Sequence, residues 1–281
     1  MIPPQWGAFA VFVPKMIRKV DAGCQWGGVV YNWKNQTARY EARVDGLGVP
    51  LIKLRDDLKQ LPLAPLAYRP SNIGLIKYQL CLLVGGGIRS ACELVQSTQL
   101  LWRSGRFLSA TLNIRLLMEI WGALTYSEAQ VLQILDESGD VSKVSGRIEK
   151  LFYGFESGVP LPWGGVSTQS TVNVMDLMKE ADTMLPGAMN TYKFLCDACH
   201  PTFVQYTYLL LAGANYEYWS DKKFAAEAHD VLDRALHGAE TAVQGMQMVS
   251  YAILRNALPL ILDESARTRT PAPQGKLNTI N

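Results

Sequence analysis

Apolar residues recur at intervals of three and four along most of this chain, the spacing of one face of an α-helix. The clearest run is Leu80, Leu83, Val84, Gly87, Ala91, Leu94, Val95, Thr98, Leu101 and Trp102. It predicts one long helix with Ser71 or Asn72 as its cap. The period passes straight through Gly85-Gly86-Gly87, although each glycine costs roughly 1 kcal/mol in a helix interior. A kink or a close helix–helix contact accounts for such a run. A phosphate-cradling loop would need a strand before it and a lysine with Ser or Thr after it, and this stretch has neither.

The same reading gives the remaining elements in order. A short turn at Arg103-Ser-Gly-Arg106 leads into a helix from Phe107 to about Tyr126. Ser127 with Gln130 opens a third helix that ends near Gly139, and another runs from about Ser142 to Phe155. Residues 157–170, with two prolines and a Gly-Gly pair, form a long loop. Thr171 to Met184 is helical, with Val174, Leu177, Met178 and Ala181 as its stripe. A helix from Gly187 stops at Pro201, because proline cannot continue it. Phe203 to Trp219 suits helix or strand. One long pattern then runs from Asp221 to about Asp263, with Pro259 bending its end.

Residues 1–70 are less regular. Trp26 to Trp33 has strand-like residues with poor alternation. Val44, Leu47, Leu51, Leu54 and Leu58 keep a helical spacing that Gly46, Gly48 and Pro50 interrupt. Pro62, Pro65 and Pro70 mark a linker. The expected architecture is therefore an all-α helical bundle over residues 71–265, with a long C-terminal helix. An N-terminal arm or small lobe (residues 1–70) precedes it, and a disordered tail (residues 266–281) follows.

Composition changes this picture little. The chain has 281 residues, 48% hydrophobic and 19% charged, with a net charge of +2. That is ample for a buried core and gives no overall field for nucleic acid or an anionic membrane. The N-terminal apolar run lacks a basic region before it, and Ile73 to Ile88 is broken by Lys77 and Gln79. These features predict a cytoplasmic protein with no membrane segment and with its five cysteines reduced.

Two polar features stand out. At about 100° per residue, Arg115 and Glu119 lie within about 20° of Leu108, inside the stripe formed with Thr111, Leu112 and Leu116. Opposite charges one turn apart can pair, and a charge in a core must be paired and hydrogen-bonded. A structural ion pair and a polar site inside the bundle both satisfy that spacing. The second feature is Tyr192-Lys-Phe-Leu-Cys-Asp-Ala-Cys-His-Pro201, which contains the Cys-x-x-Cys-His pattern of c-type haem attachment. Haem attachment follows export, and no export signal is visible. Zinc would need a fourth ligand from a second cluster, and a redox Cys-x-x-Cys site would want a βαβ setting. No cofactor or metal is expected, and Cys196 and Cys199 read as small packing residues. Tyr192, Cys196 and Cys199 share one helix face with His200 beside it. A histidine at a helix C-terminus is favoured by the dipole.

Arg103-Ser-Gly-Arg-Phe-Leu-Ser-Ala followed by Arg115-x-x-x-Glu119, with the later Tyr192-to-Pro201 element, resembles a group of bacterial helical proteins similar to HEPN-like domains. Such domains occur among prokaryotic toxin–antitoxin and phage-defence (antiviral) systems. The resemblance covers about residues 75 to 260 and rests on short motifs. It implies an all-α bundle in which Arg115, Glu119 and His200 converge as a catalytic cluster acting on RNA or a nucleotide, with Tyr192 and Arg106 binding substrate. His200 would be the acid/base and Arg115 the phosphate stabiliser. One departure matters: HEPN ribonucleases carry arginine four to six residues before histidine, whereas Arg234-Ala-Leu-His237 has only two between. The residues leave open whether the chain is an enzyme. The alternative is a non-enzymatic helical interaction, oligomerisation or sensing module, working as a homo-oligomer or with a partner protein. A haem or metal protein using Cys196, Cys199 and His200 is the remote one.

Overall fold

In a computed structural model, the structure describes residues 33–59, 72–136, 146–148, 150–151, 172–201, 203–214 and 221–257. The N-terminal strand-like stretch, most of the 142–155 helix, the 157–170 loop and the C-terminal tail lie outside these residues. Eight helices are formed, with no strand among the described residues: α1 (Trp33–Gly46), α2 (Gly48–Lys59), α3 (Asn72–Arg103), α4 (Phe107–Asp136), α5 (Val174–Met184), α6 (Ala188–Ala198), α7 (Val204–Ala214) and α8 (Lys222–Ala252). A π-helical turn, Ile253–Ala257, continues α8. The described residues thus form the all-α bundle with a long C-terminal helix that the apolar spacing predicts.

α4 is the central element and packs against α3, α5 and α8. It is longer than its sequence suggests, because Ser127 does not start a new helix. Its hydroxyl donates to the Ala123 carbonyl at 2.8 Å, and so satisfies itself within a continuous helix. Phe107, Ile114, Leu117, Met118 and Trp121 bury one face completely. α3 and α4 form an antiparallel hairpin whose tight turn uses Gly105 at φ 72°. The Gly85–Gly87 run stays helical. Gly87 faces Ile120 and Leu124 of α4 in ordinary contact, while Gly85 and Gly86 face open space.

Helix ends follow local chemistry. Asn173 caps α5 by accepting from the Met175 N–H at 2.9 Å, and Asp221 caps α8 by accepting from Lys223 and Phe224. Within the ambiguous stretch, residues 204–214 form the helix α7.

α1 and α2 join the same core as the rest. Tyr40, Val44, Leu51 and Leu54 are buried with Trp102, Leu232 and Leu236. Two polar fixtures tie α1 to α8. Arg43 forks onto Glu240 at 2.7 and 2.8 Å and reaches Asp233 at 2.6 Å. The buried Tyr40 hydroxyl donates to the His229 carbonyl at 3.0 Å and lies 3.1 Å from His229 Nδ1. With the phenol hydrogen committed to the carbonyl, the ring contact is made by Nδ1–H donating.

α8 carries a small-residue face of Ala235, Gly238, Ala239, Ala242 and Gly245. At Gly245 the Trp121 indole occupies the space of a β-carbon, so an added one would overlap the ring. Gly245→Ala is therefore expected to destabilise the fold by about 2–3 kcal/mol through overpacking. Gly86→Ala, at an open helical position, should instead stabilise by about 0.5–1 kcal/mol. Denaturant unfolding of the two variants checks the contrast.

Burial, and then the nearby Arg39, hold His229 below its ordinary value of 6.5. The native state then prefers the neutral ring, so this contribution to stability is whole above pH 6.5 and is lost as pH falls below it. His229→Gln should flatten that acid-side slope in unfolding midpoints measured from about pH 5 to pH 7.5.

Candidate functional site at the face of α4 and α6

Arg115 and Glu119 project from α4 toward α6. Arg115 Nε donates to Glu119 Oε1 at 3.1 Å. The same carboxylate oxygen accepts the Tyr192 hydroxyl from α6 at 2.8 Å. The guanidinium carbon lies 5.9 Å from the centre of the Tyr192 ring. Arg115, Glu119 and Tyr192 therefore form one hydrogen-bonded unit across two helices, 73 residues apart in sequence. Cys196, one turn beyond Tyr192, is half-buried and reaches the same phenol.

The position of the pair differs from the sequence expectation. Its side chains are 38% and 27% exposed, so Arg115 and Glu119 are not in the middle of the buried stripe. The buried face centres on Ile114, Leu117, Met118 and Trp121, roughly a quarter-turn away from Arg115. Leu112 and Leu116, read as core, are 43% and 46% exposed. Leucine lies on nearly every side of this helix, so leucine spacing alone selected the wrong face.

The other predicted site residues, His200 and Arg106, lie in the turn after α6 and at the start of α4. His200 lies exposed in the turn after α6. Its backbone N–H donates to the Asp197 carbonyl at 3.0 Å, and its ring stands edge-on to Phe203. The hydrogen bonds of Arg115 and Glu119 join them to each other and to Tyr192. Arg106 lies exposed at the start of α4, where its carbonyl accepts from Ala110. Cys196 and Cys199 are half-buried, not fully packed residues. Among the described residues, no group of three His, Cys, Asp or Glu side chains is placed to hold a metal.

Electrostatics follow from this placement. Burial and the Glu119 carboxylate both push the Tyr192 phenol well above its ordinary value. Burial pushes the Cys199 thiol up to about 11, with the Arg115 cation opposing it. The hydrogen bond to Tyr192, with smaller contributions from neighbouring groups, holds Arg115 firmly protonated. A general acid or base works best with its pKa near ambient pH, and burial moves Tyr192 and Cys199 away from that range. What the unit does well is pin α6 onto α4 and fix the direction of a half-exposed guanidinium.

Comparison with family models, with curated proteins and with solved structures finds no match to this chain.

Sequence reasoning selected Arg115, Glu119 and Tyr192 but did not join Tyr192 to the pair. The available signal was weak. Tyr192 begins the face it shares with Cys196, and a buried phenol needs a partner.

Tyr192→Phe removes the bond to Glu119 while keeping the ring. It should cost about 1–2 kcal/mol in equilibrium unfolding. Because the phenol's value is raised in the folded state, its contribution is whole below pH 10 and is lost as pH rises past it. The alkaline loss of stability should accordingly be smaller in Tyr192→Phe than in the wild type.

Proposed function

We propose that this chain is a non-enzymatic helical module that associates with a second copy of itself through the outer face of α4. The carrying observation is Leu112 and Leu116, both large, apolar and open to solvent beside the Arg115–Glu119 pair. α4 contains a stretch, Phe107–Gln133, long and apolar enough to cross a membrane by length and composition, yet half of its most apolar window is buried in the bundle. Spanning a membrane would withdraw Ile114, Leu117, Met118 and Trp121 from the core. Association leaves the core intact and covers the other half.

A second copy suits this face because its charges are self-complementary. Across a two-fold axis, the same patch meets itself. Arg115 and Glu119, of opposite sign and one turn apart, then meet their counterparts with signs matched on an antiparallel partner helix. The next helix offers another such pair in Arg89 and Glu93, both well exposed. The Asn113–Ser97 hydrogen bond, 3.0 Å long, ties α3 to α4 beside Leu112, so both helices present one rigid surface. A stable interface buries about 800 Å² per partner.

A second reading keeps the HEPN-like resemblance: a defence- or toxin-associated protein acting on RNA or a nucleotide. It is favoured by the exposure of Arg115, whose guanidinium has five N–H donors and so has some to spare for a phosphate oxygen. In that reading His200 acts as acid/base from the turn after α6.

Light scattering on the size-separated protein decides between them. The wild type should run as a dimer, and Leu112→Glu with Leu116→Glu should dissociate it by at least about tenfold in Kd while helical content is kept. A wild type that stays monomeric at high concentration sinks the first reading. RNA cleavage that vanishes in His200→Ala and Arg115→Ala, but survives Cys199→Ala, establishes the second.

A further inference from the structure

The cysteine pair that first suggested a cofactor is used by neither reading of the function, yet its placement has a chemical consequence. We propose that Cys196 and Cys199 form a reversible dithiol–disulfide pair, oxidised by exchange with a low-molecular-weight disulfide.

Geometry comes first. Cys196 lies in the last turn of α6 and Cys199 is its C-terminal cap, at φ −88° and ψ −7°. The Cys199 N–H still donates to the Leu195 and Cys196 carbonyls at 3.1 and 3.2 Å. Helical rise and radius put Cα atoms three residues apart at about 5 Å. That falls inside the roughly 4.4–6.8 Å a disulfide spans, while the Cβ atoms, about 5–6 Å apart at this helical spacing, must close to about 4 Å. Both side chains are half-buried, so a small oxidant can reach them. Position in the helix adds freedom. Residues 199–201 leave the helix as a turn, and Pro201 donates no backbone hydrogen bond. The last turn can thus adjust its torsions without unravelling a continuing helix. Cys81 and Cys92 offer no such pairing: eleven residues apart on α3, their Cα atoms are about 16 Å apart.

The neighbours divide the labour. The Arg115 cation acts on the Cys199 sulfur, where it opposes the larger effect of burial. Cys196 faces the Arg115–Tyr192 unit, while burial disfavours the Cys199 thiolate. Cys196 is therefore the attacking sulfur and Cys199 the resolving one. In the first step the Cys196 thiolate, its proton lost to solvent, bonds to one sulfur of oxidised glutathione. The S–S bond breaks, and glutathione leaves as thiolate. In the second step the Cys199 sulfur, its proton also lost, attacks Cys196 and expels the second glutathione thiolate. The two leaving thiolates take up the two protons. The protein loses two hydrogens, that is two electrons and two protons, and one glutathione disulfide becomes two thiols. The new bond draws the Cys196 sulfur toward Cys199 and away from the Tyr192 phenol.

The full-length chain is equilibrated in buffers of reduced and oxidised glutathione, quenched by alkylation and mapped by mass spectrometry. The wild type should lose two hydrogens, with the bond mapped between Cys196 and Cys199 and no glutathione retained. Cys199→Ser should trap glutathione on Cys196. Arg115→Gln should slow formation of the bond by roughly tenfold. Circular dichroism confirms that each variant is folded, and if one is not, the map of the wild type decides. Cys196 and Cys199 both still alkylated after equilibration with fully oxidised buffer overturn the proposal. So do stable glutathione adducts on both cysteines in place of the bond.

Discussion

The close approach of α8 to α4 is the constraint on which the rest of the bundle depends. A tryptophan as large as Trp121 can be buried between two long helices only where the facing helix offers no side chain, and Gly245 provides that gap. Along the same face a β-carbon added at Gly238 would stand 3.1 and 3.2 Å from Thr191 and Leu195 of α6, tighter than ordinary contact, and 3.6 Å from Ile114 of α4. One stripe of glycines and alanines on α8 thus admits two neighbours at once. Association of long helices at this distance supplies dispersion contacts that a leucine-lined pair would not reach. It also sets where α6 lies, and therefore where Tyr192 can reach.

That reach explains the polar unit. Tyr192 is buried, and a buried phenol must find a partner or carry the desolvation cost of its hydroxyl. Glu119 lies on the margin between the buried and open sides of α4, at the depth the hydroxyl reaches. Arg115 neutralises the carboxylate from one turn below, so neither charge is left alone near the core. The same logic acts at the opposite side of α8, where Arg43 takes up Glu240 and Asp233 beside buried Tyr40. In both places a tyrosine goes into the core with a charged pair on the rim. α1 and α6 are held to their neighbours by similar chemistry on different faces.

How much of this was legible depends on how far each signal reaches along the chain. The long α3 and α8 were readable because their apolar spacing survives for thirty residues, and glycines with open or well-matched surroundings do not disturb it. Asn173 and Asp221 acted locally, as helix caps do. Ser127 misled because serine serves equally as a cap or as a donor to the carbonyl four residues before it, and only burial selects between them. Arg115 and Glu119 were found as a pair from spacing alone. Their partner was not, since the Tyr192–Glu119 bond is a property of how α6 docks. Which side of α4 faces the core was also beyond periodicity. Leu108, Leu112 and Leu116 repeat as regularly as Phe107, Ile114 and Trp121, and the small-residue face of α8 is what chooses between them.

This choice has a further consequence for α4. A helix apolar on nearly every side could have been enclosed by the bundle, but its neighbours cover only one broad face among the described residues. Leu112 and Leu116 follow one another by a turn, flanked by a charged pair that tyrosine holds rigid. Exposed leucines among mobile side chains would make a poor surface, because each must be ordered on association. Here Arg115 and Glu119 are already ordered by Tyr192, so the cost of fixing them is met during folding. The hydrogen-bonded unit that secures α6 therefore also prepares the rim of the apolar face beside it. In the proposed dimer, the three side chains that dock α6 onto α4 also form the rim of the interface.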